Sequence, residues 1–223
     1  MESFIDTNIL IAYTFHIDSL HLKAKEVFNE YQTIVYSKRV KLESDFIFSK
    51  KRNILQKFFE DLLMEITYEN SNWSSLKNLK KLLSKKDLSE DDKRQIKSSL
   101  DSFWAKYVNE QFPSNETMHY AIFGCLDDLD ICSFLRKSKI EKQIKITEKR
   151  IKPYNRINRK LNRIGVHFPD DEIVLDAHDY NLKNNDKLDF ITFDSNFYNG
   201  INQIKEFSFN KIKCKDDFYT RFN

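Results

Sequence analysis

Four acidic positions stand at comparable places along the 223-residue chain. Asp6 follows the apolar pair Phe4-Ile5, and Glu43 lies soon after Thr33-Ile34-Val35-Tyr36. Asp170 and Asp171 open a helical pattern, and Asp194 closes Asp189-Phe190-Ile191-Thr192-Phe193. Carboxylates brought together repel and raise one another's pKa unless a cation neutralises them. Hard divalent ions such as Mg²⁺ or Mn²⁺ favour all-oxygen sites of this kind. Their usual chemistry is phosphodiester hydrolysis, with the metal activating water and stabilising charge on the attacking and leaving oxygens. Each acid also has a purely local reading, as a cap for the helix on its carboxyl side.

The elements decide whether the acids converge. Phe4-Ile5 reads as the end of a buried strand. Leu20, Ala24, Val27, Phe28 and Tyr31 are spaced for a helix over 20–31. Thr33 to Tyr36 reads as a second strand. Ser37 is the N-cap of a helix with Val40, Leu42, Phe46, Ile47, Ile54 and Leu55 on its apolar face, and Glu43 falls on its second turn. That pattern continues to Ile66 as one or two long helices. From about 71 to 161 the chain reads as wholly helical, without a strand. An amphipathic stretch covers 73–83, a helix over 88–108 starts at the capping-box candidate Ser89-Glu90-Asp91-Asp92, and Pro113-Ser114-Asn115-Glu116 starts another. Asp170 or Asp171 then caps a helix bearing Ile173, Val174, Ala177 and Tyr180. Residues 189–194 form a strand, and 204–209 with 212–214 add an edge strand. The order β-α-β-α, helical insertion, α-β-α-β implies an α/β fold with a small parallel sheet flanked by helices. In such a sheet all four acids belong at the carboxyl edge, where ligands bind.

Composition bounds the function. The chain is 40% hydrophobic and 32% charged, which suits a soluble globular domain. No apolar run approaches the roughly 20 residues that span a bilayer, and no signal peptide is expected at the N-terminus. Cys125, Cys132 and Cys214 are scattered and outside any C-x-x-C spacing, which argues for a reducing cytoplasm and against disulfides or zinc. With 3 Gly in the chain, glycine-rich phosphate loops are excluded. The five histidines show no ligand spacing and read as surface or core residues. The net charge of +3 hides an asymmetry: residues 133–165 hold twelve Lys or Arg and two acids. Such a segment suits a phosphate backbone, through Arg136, Lys145, Lys149, Arg150, Lys152, Arg156, Arg159, Lys160 and Arg163. A solvated helix face and an anchor for an acidic protein partner are the other readings of the same run.

Four stretches together carry a family resemblance: Phe4-Ile5-Asp6-Thr7-Asn8, Tyr36-Ser37-Lys38-Arg39-Val40-Lys41-Leu42-Glu43, Pro169-Asp170-Asp171-Glu172-Ile173-Val174-Leu175-Asp176-Ala177 and Ile191-Thr192-Phe193-Asp194-Ser195-Asn196-Phe197. In this order the chain resembles the PIN-domain ribonucleases, which include the toxins of bacterial and archaeal toxin–antitoxin pairs. The resemblance implies a single PIN-like three-layer domain with a core of about 1–50 and 165–223 and a helical insertion over about 51–164. It implies Asp6, Glu43 and Asp170 or Asp171 as ligands of Mg²⁺ or Mn²⁺, with Asp194 as a fourth or outer ligand. Thr7, Asn8 and Thr192 would support these acids by hydrogen bonds. Ile173 and Ala177 stand in the family's register to Asp170, while Asp171 could share or replace its role. Asp176 lies about 120° around the helix from Asp170 and reads as solvated. The implied reaction is endonucleolytic RNA cleavage leaving a 5′-phosphate and a 3′-hydroxyl. The implied partners are RNA, an antitoxin protein and a second copy of the chain. Two further readings stay open: a non-catalytic RNA- or protein-binding module on the same scaffold, and a structure-specific DNA nuclease. The resemblance is silent on the insertion.

Overall fold

The computed structural model describes residues 2–68, 75–110, 113–184 and 187–218. Five strands form one sheet: β1 (Glu2–Ile5), β2 (Thr33–Tyr36), β3 (Lys145–Ile146), β4 (Leu188–Ile191) and β5 (Lys211–Lys213). Their spatial order is β3-β2-β1-β4-β5, and every pairing is parallel. A parallel sheet covered on both faces needs near-continuous apolar strands, and every residue of β4 is buried. Phe190 at its centre stacks on Phe4 and Phe209 and meets the edge of Phe197.

Ten α-helices complete the described chain: α1 (Thr7–Thr14), α2 (His21–Glu30), α3 (Lys38–Tyr68), α4 (Leu76–Lys85), α5 (Glu90–Phe103), α6 (Asn115–Asp127), α7 (Ser133–Glu141), α8 (Asn155–Arg163), α9 (Asp170–Lys183) and α10 (Ser195–Ile201). The Ser37 hydroxyl accepts from the Val40 N–H and caps α3, and Ser89 caps α5 in the same way through Asp92. No helix among the described residues is long and apolar enough to cross a membrane.

Several expectations are corrected. The stretch 71–161 is not wholly helical: Lys145 and Ile146 pair with Val35 and Tyr36 as an edge strand, too short to show the alternation that marks a strand. The final strand is 211–213 alone. The expected helix over 73–83 begins at Trp73, outside the described residues; its described part is α4. Pro169, not an acid, occupies the N-cap of α9, with Asp170 and Asp171 already inside the first turn. Two π-helical turns, Trp104–Val108 and Asp128–Cys132, interrupt the insertion's helices.

The chain divides into two compact units. The first comprises 1–11, 22–46 and 139–223; the second comprises 12–21 and 47–138. The first holds the whole sheet and also α8, which ends when Gly165, at φ +85°, lets Val166 N–H reach the Leu161 carbonyl.

The second unit is helical and has its own core, with Phe59 against Phe103 and Phe15 against Phe48. A polar knot lies in it. Arg136 donates twice to Asp128 (2.8 and 2.7 Å) and once to the Thr14 carbonyl (2.7 Å), and His16 approaches Asp128 at 3.4 Å. His21 is 8% exposed, with Nδ1 3.1 Å from the Ala12 carbonyl. Burial first, and then the charge of His16, pull the His21 pKa down to about 4. The folded state therefore resists protonating a group that the unfolded chain protonates near pH 6.5. Stability from His21 is complete above that pH and is lost as pH falls toward 4, by about 2 kcal/mol after discounting for partial solvent screening. Thermal unfolding across this range should show the loss, and His21→Gln should flatten it.

Candidate metal centre at the carboxyl edge of the sheet

Parallel register brings the first two side chains together. Ile5 pairs with Ile191, so Asp6 and Thr192 are the next residues off adjacent strand ends. The Asp6 N–H still donates to the Ile191 carbonyl (3.2 Å), and the Thr192 hydroxyl donates to Asp6 Oδ2 (2.5 Å). β1 and β4 flank the point where the strand order reverses, since β2 and β3 lie to one side of β1 and β4 and β5 to the other. Open parallel sheets bind ligands in the crevice outside such a switch point. Asp6 also accepts from the Ile9 N–H (3.3 Å), which caps α1. The capping and site readings of Asp6 are therefore compatible, each using a different carboxylate oxygen.

Glu43, on the second turn of α3, accepts from the Thr7 hydroxyl (2.6 Å) at the start of α1. Asp170 enters from the first turn of α9. Asp194 caps α10, with Oδ1 accepting from the Asn196 and Phe197 N–H groups (2.8 and 2.9 Å). The Asp194 N–H in turn donates to the Thr192 hydroxyl (3.0 Å), so Thr192 links Asp6 to Asp194. Asn8 is exposed and acts on Asp6 through its backbone N–H instead of its side chain.

The electrostatics separate the two adjacent acids of α9. Burial pushes the Asp6 carboxyl up to about 7, and the Asp170 charge adds to the rise against the Thr192 and Ile9 hydrogen bonds. Burial also raises Asp170, to about 6, reinforced by Glu43, Asp194 and Asp171. Asp171 is raised by burial too, but its other charged neighbours are Glu172, Arg39 and His167, and its Oδ1 accepts from the Glu172 N–H. Asp170 thus shares the electrostatic neighbourhood of Asp6, Glu43 and Asp194, and Asp171 faces a different set of charges.

The donor set is entirely carboxylate and hydroxyl oxygen, which suits a hard cation. Its spacing is looser than a metal cage: among the described residues no three His, Cys, Asp or Glu side chains are gathered closely enough to hold an ion. Asp6 and Glu43 are turned onto Thr192 and Thr7, as expected of carboxylates that repel and take local donors.

The basic run does not form one arm. Residues 133–138 belong to the second unit and 139–165 to the first. Arg136 is committed to Asp128. Arg150, its side chain 9% exposed, is held by Asp176 (3.0 Å) and Glu172 (2.6 Å). Asp176 is therefore not a solvated side chain but half of a buried ion pair. Lys145 donates to the Tyr180 hydroxyl (3.0 Å), while Lys160 and Arg156 meet Glu206. Lys149, Lys152, Arg159 and Arg163 are exposed. Twelve cations over two local acids concealed these pairings because the partners lie outside the run itself. Two neighbours of the acids were not singled out by sequence reasoning: Arg39, whose guanidinium lies 5.0 Å from the Phe168 ring centre, and Phe168 itself, 71% exposed. Both lie inside or beside the four stretches that carry the resemblance, but an exposed aromatic carries no periodic signal.

The fold and site define an α/β protein with a five-stranded parallel sheet and acidic side chains brought to its carboxyl edge near the switch point. Compared with protein-family models, curated proteins and solved structures, the chain matches none.

Proposed function

We propose that this chain is a divalent-metal-dependent endoribonuclease of the PIN type, acting as a toxin or an RNA-processing nuclease. One observation carries the reading: Asp6 and Thr192 leave adjacent strand ends at the switch point, joined by a hydrogen bond, and the acids brought to that edge are electrostatically linked, Asp6 raised by burial and the Asp170 charge, and Asp170 by burial and the charges of Glu43 and Asp194. Carboxylates left with that repulsion are a recurrent mark of functional sites. Asp6, Glu43 and Asp170 would hold Mg²⁺ or Mn²⁺, with Asp194 outside them. A bound cation supplies Lewis-acid polarisation of the phosphodiester and a lowered pKa for water. The chain's own residues set the geometry. Thr192 fixes one oxygen of Asp6, Thr7 fixes one oxygen of Glu43, and helix α10 holds Asp194 in place.

Thr192→Val removes the donor to Asp6 without changing side-chain shape. It should weaken metal affinity and cleavage by about 10–100-fold, as loss of outer hydrogen bonds to ligands does, with little change in fold. Titration calorimetry with Mn²⁺ and single-turnover cleavage measure both. End-group analysis of the products should give 5′-phosphates. If branched DNA were cut faster than single-stranded RNA under the same conditions, the DNA-nuclease reading would replace this one. RNA binding with no cutting in either metal would leave the non-catalytic module.

A further inference from the structure

A second feature lies beside the acids in the same unit. A pocket of about 370 Å³ is lined by the first turn of α3 (Ser37, Lys38, Arg39), by Thr147 and Lys149 after β3, and by the Arg150 ion-pair network. Thr147 is 7% exposed, and its hydroxyl has no hydrogen-bond partner among the described residues. Arg39 Nε is likewise buried and unpartnered among them. Buried polar groups are ordinarily satisfied, so two orphans on one pocket point to a missing acceptor. The pocket's charges agree. Lys38 and Lys149 are exposed cations, whereas two of its three carboxylates, Glu172 and Asp176, are already paired, both with Arg150 and Glu172 also with the Arg39 terminal nitrogen (3.5 Å). Glu148, the third, is exposed. The N-terminal turn of a 31-residue helix adds N–H groups without intrahelical partners and a favourable dipole for an anion. Phe168 stands over Arg39, two residues before Asp170, and presents an open aromatic face.

We infer that this pocket takes a backbone phosphate of single-stranded RNA, with the adjoining base stacked on Phe168. This rests on the ribonuclease reading and narrows its substrate: a base can reach Phe168 only when unpaired, so duplexes are excluded. Phosphate donors and an aromatic platform together are the usual means of gripping a single strand. An acidic peptide would satisfy the cations but would make no use of Phe168.

The test uses the full chain carrying Asp6→Asn, so that binding is read without cutting, and a short 5′-fluorescent polyuridine strand followed by anisotropy. Phe168→Ala should weaken binding by roughly tenfold and Phe168→Trp should restore it. Lys149→Ala and Thr147→Val should weaken it too, and Lys149→Ala should reduce the slope of log K against log salt by about 0.7. A duplex of the same length should bind at least tenfold more weakly than the single strand. These side chains are exposed or isosterically replaced, and unchanged melting of each variant would exclude misfolding. Equal binding of duplex and single strand, indifference to Phe168, or equal displacement by polyglutamate would overturn the inference. The two readings fail separately. Cleavage by the otherwise wild-type chain that ignores Phe168→Ala sinks the subsite alone. Phe168-dependent binding without cleavage by the wild type sinks the nuclease alone.

Discussion

Replacing Asp170 by Asn is expected to abolish RNA cleavage while making the metal-free protein harder to unfold. The two effects have one origin. Asp170 is a carboxylate on the first turn of α9, and burial, reinforced by the charges of Glu43, Asp194 and Asp171, raises it from 3.8 to about 6. A carboxyl raised in the folded state holds its proton more tightly there than in the unfolded chain. Its stability contribution is full below about pH 4 and is lost as pH rises toward 6. Above that window the ionised group costs about 1–2 kcal/mol, after discounting for partial solvent screening. Asn carries no charge and escapes this cost, so in EDTA at neutral pH the variant should melt about 2–6 °C higher than wild type. The gap should close near pH 4. Cleavage should fall on the order of 10³-fold, because a ligand of the cation is gone. An Asp170 that served only to hold α9 in place would show the opposite pattern, with lower melting at every pH.

Asp128→Ala should produce a large loss of stability in the second unit. Asp128 is 8% exposed, and its charge faces the forked guanidinium of Arg136, whose side chain is 18% exposed. Desolvation works against the ionised carboxyl, but His16 and Arg136 outweigh it and hold Asp128 well below the usual carboxylate range. Its contribution is therefore present above about pH 4 and is lost only in stronger acid. Removing Asp128 leaves a buried guanidinium without its counter-charge, at a cost of about 3–5 kcal/mol, or roughly 10 °C in melting temperature. Replacing both partners, with Asp128→Leu and Arg136→Met, should recover most of the loss. That recovery would show the damage comes from the stranded charge and not from the missing contact. Chemical denaturation of the wild type and the two variants measures each figure.

The sheet and the acids were legible because their signals are local. Strand β2 announces itself in four residues, Ser37 caps the helix after it, and Asp6, Glu43 and Asp194 sit at fixed offsets from strand ends. The hidden features depend on contacts distant in sequence. β3 has two residues and exists only because Tyr36 offers it an edge. Arg136 and Arg150 look like members of a basic arm until Asp128, Glu172 and Asp176 are found beside them. Asp170 and Asp171 are adjacent; the register of Ile173 and Ala177 points to Asp170 without excluding Asp171, and the charges around each separate them further. The division of the chain at 47 and 138 reflects two separate cores, which a run of helical periodicity cannot reveal.

The most direct measurement is cleavage of a single-stranded RNA pool by the wild-type chain and by Asp6→Asn, in Mn²⁺, in Mg²⁺ and in EDTA. Cutting by wild type that needs the metal, and that disappears in Asp6→Asn while RNA binding persists, is the expected result. Cutting that survives EDTA or Asp6→Asn, or wild type that binds RNA and cuts in neither metal, would contradict the assignment of the acids at the carboxyl edge of the sheet as a metal-dependent nuclease centre.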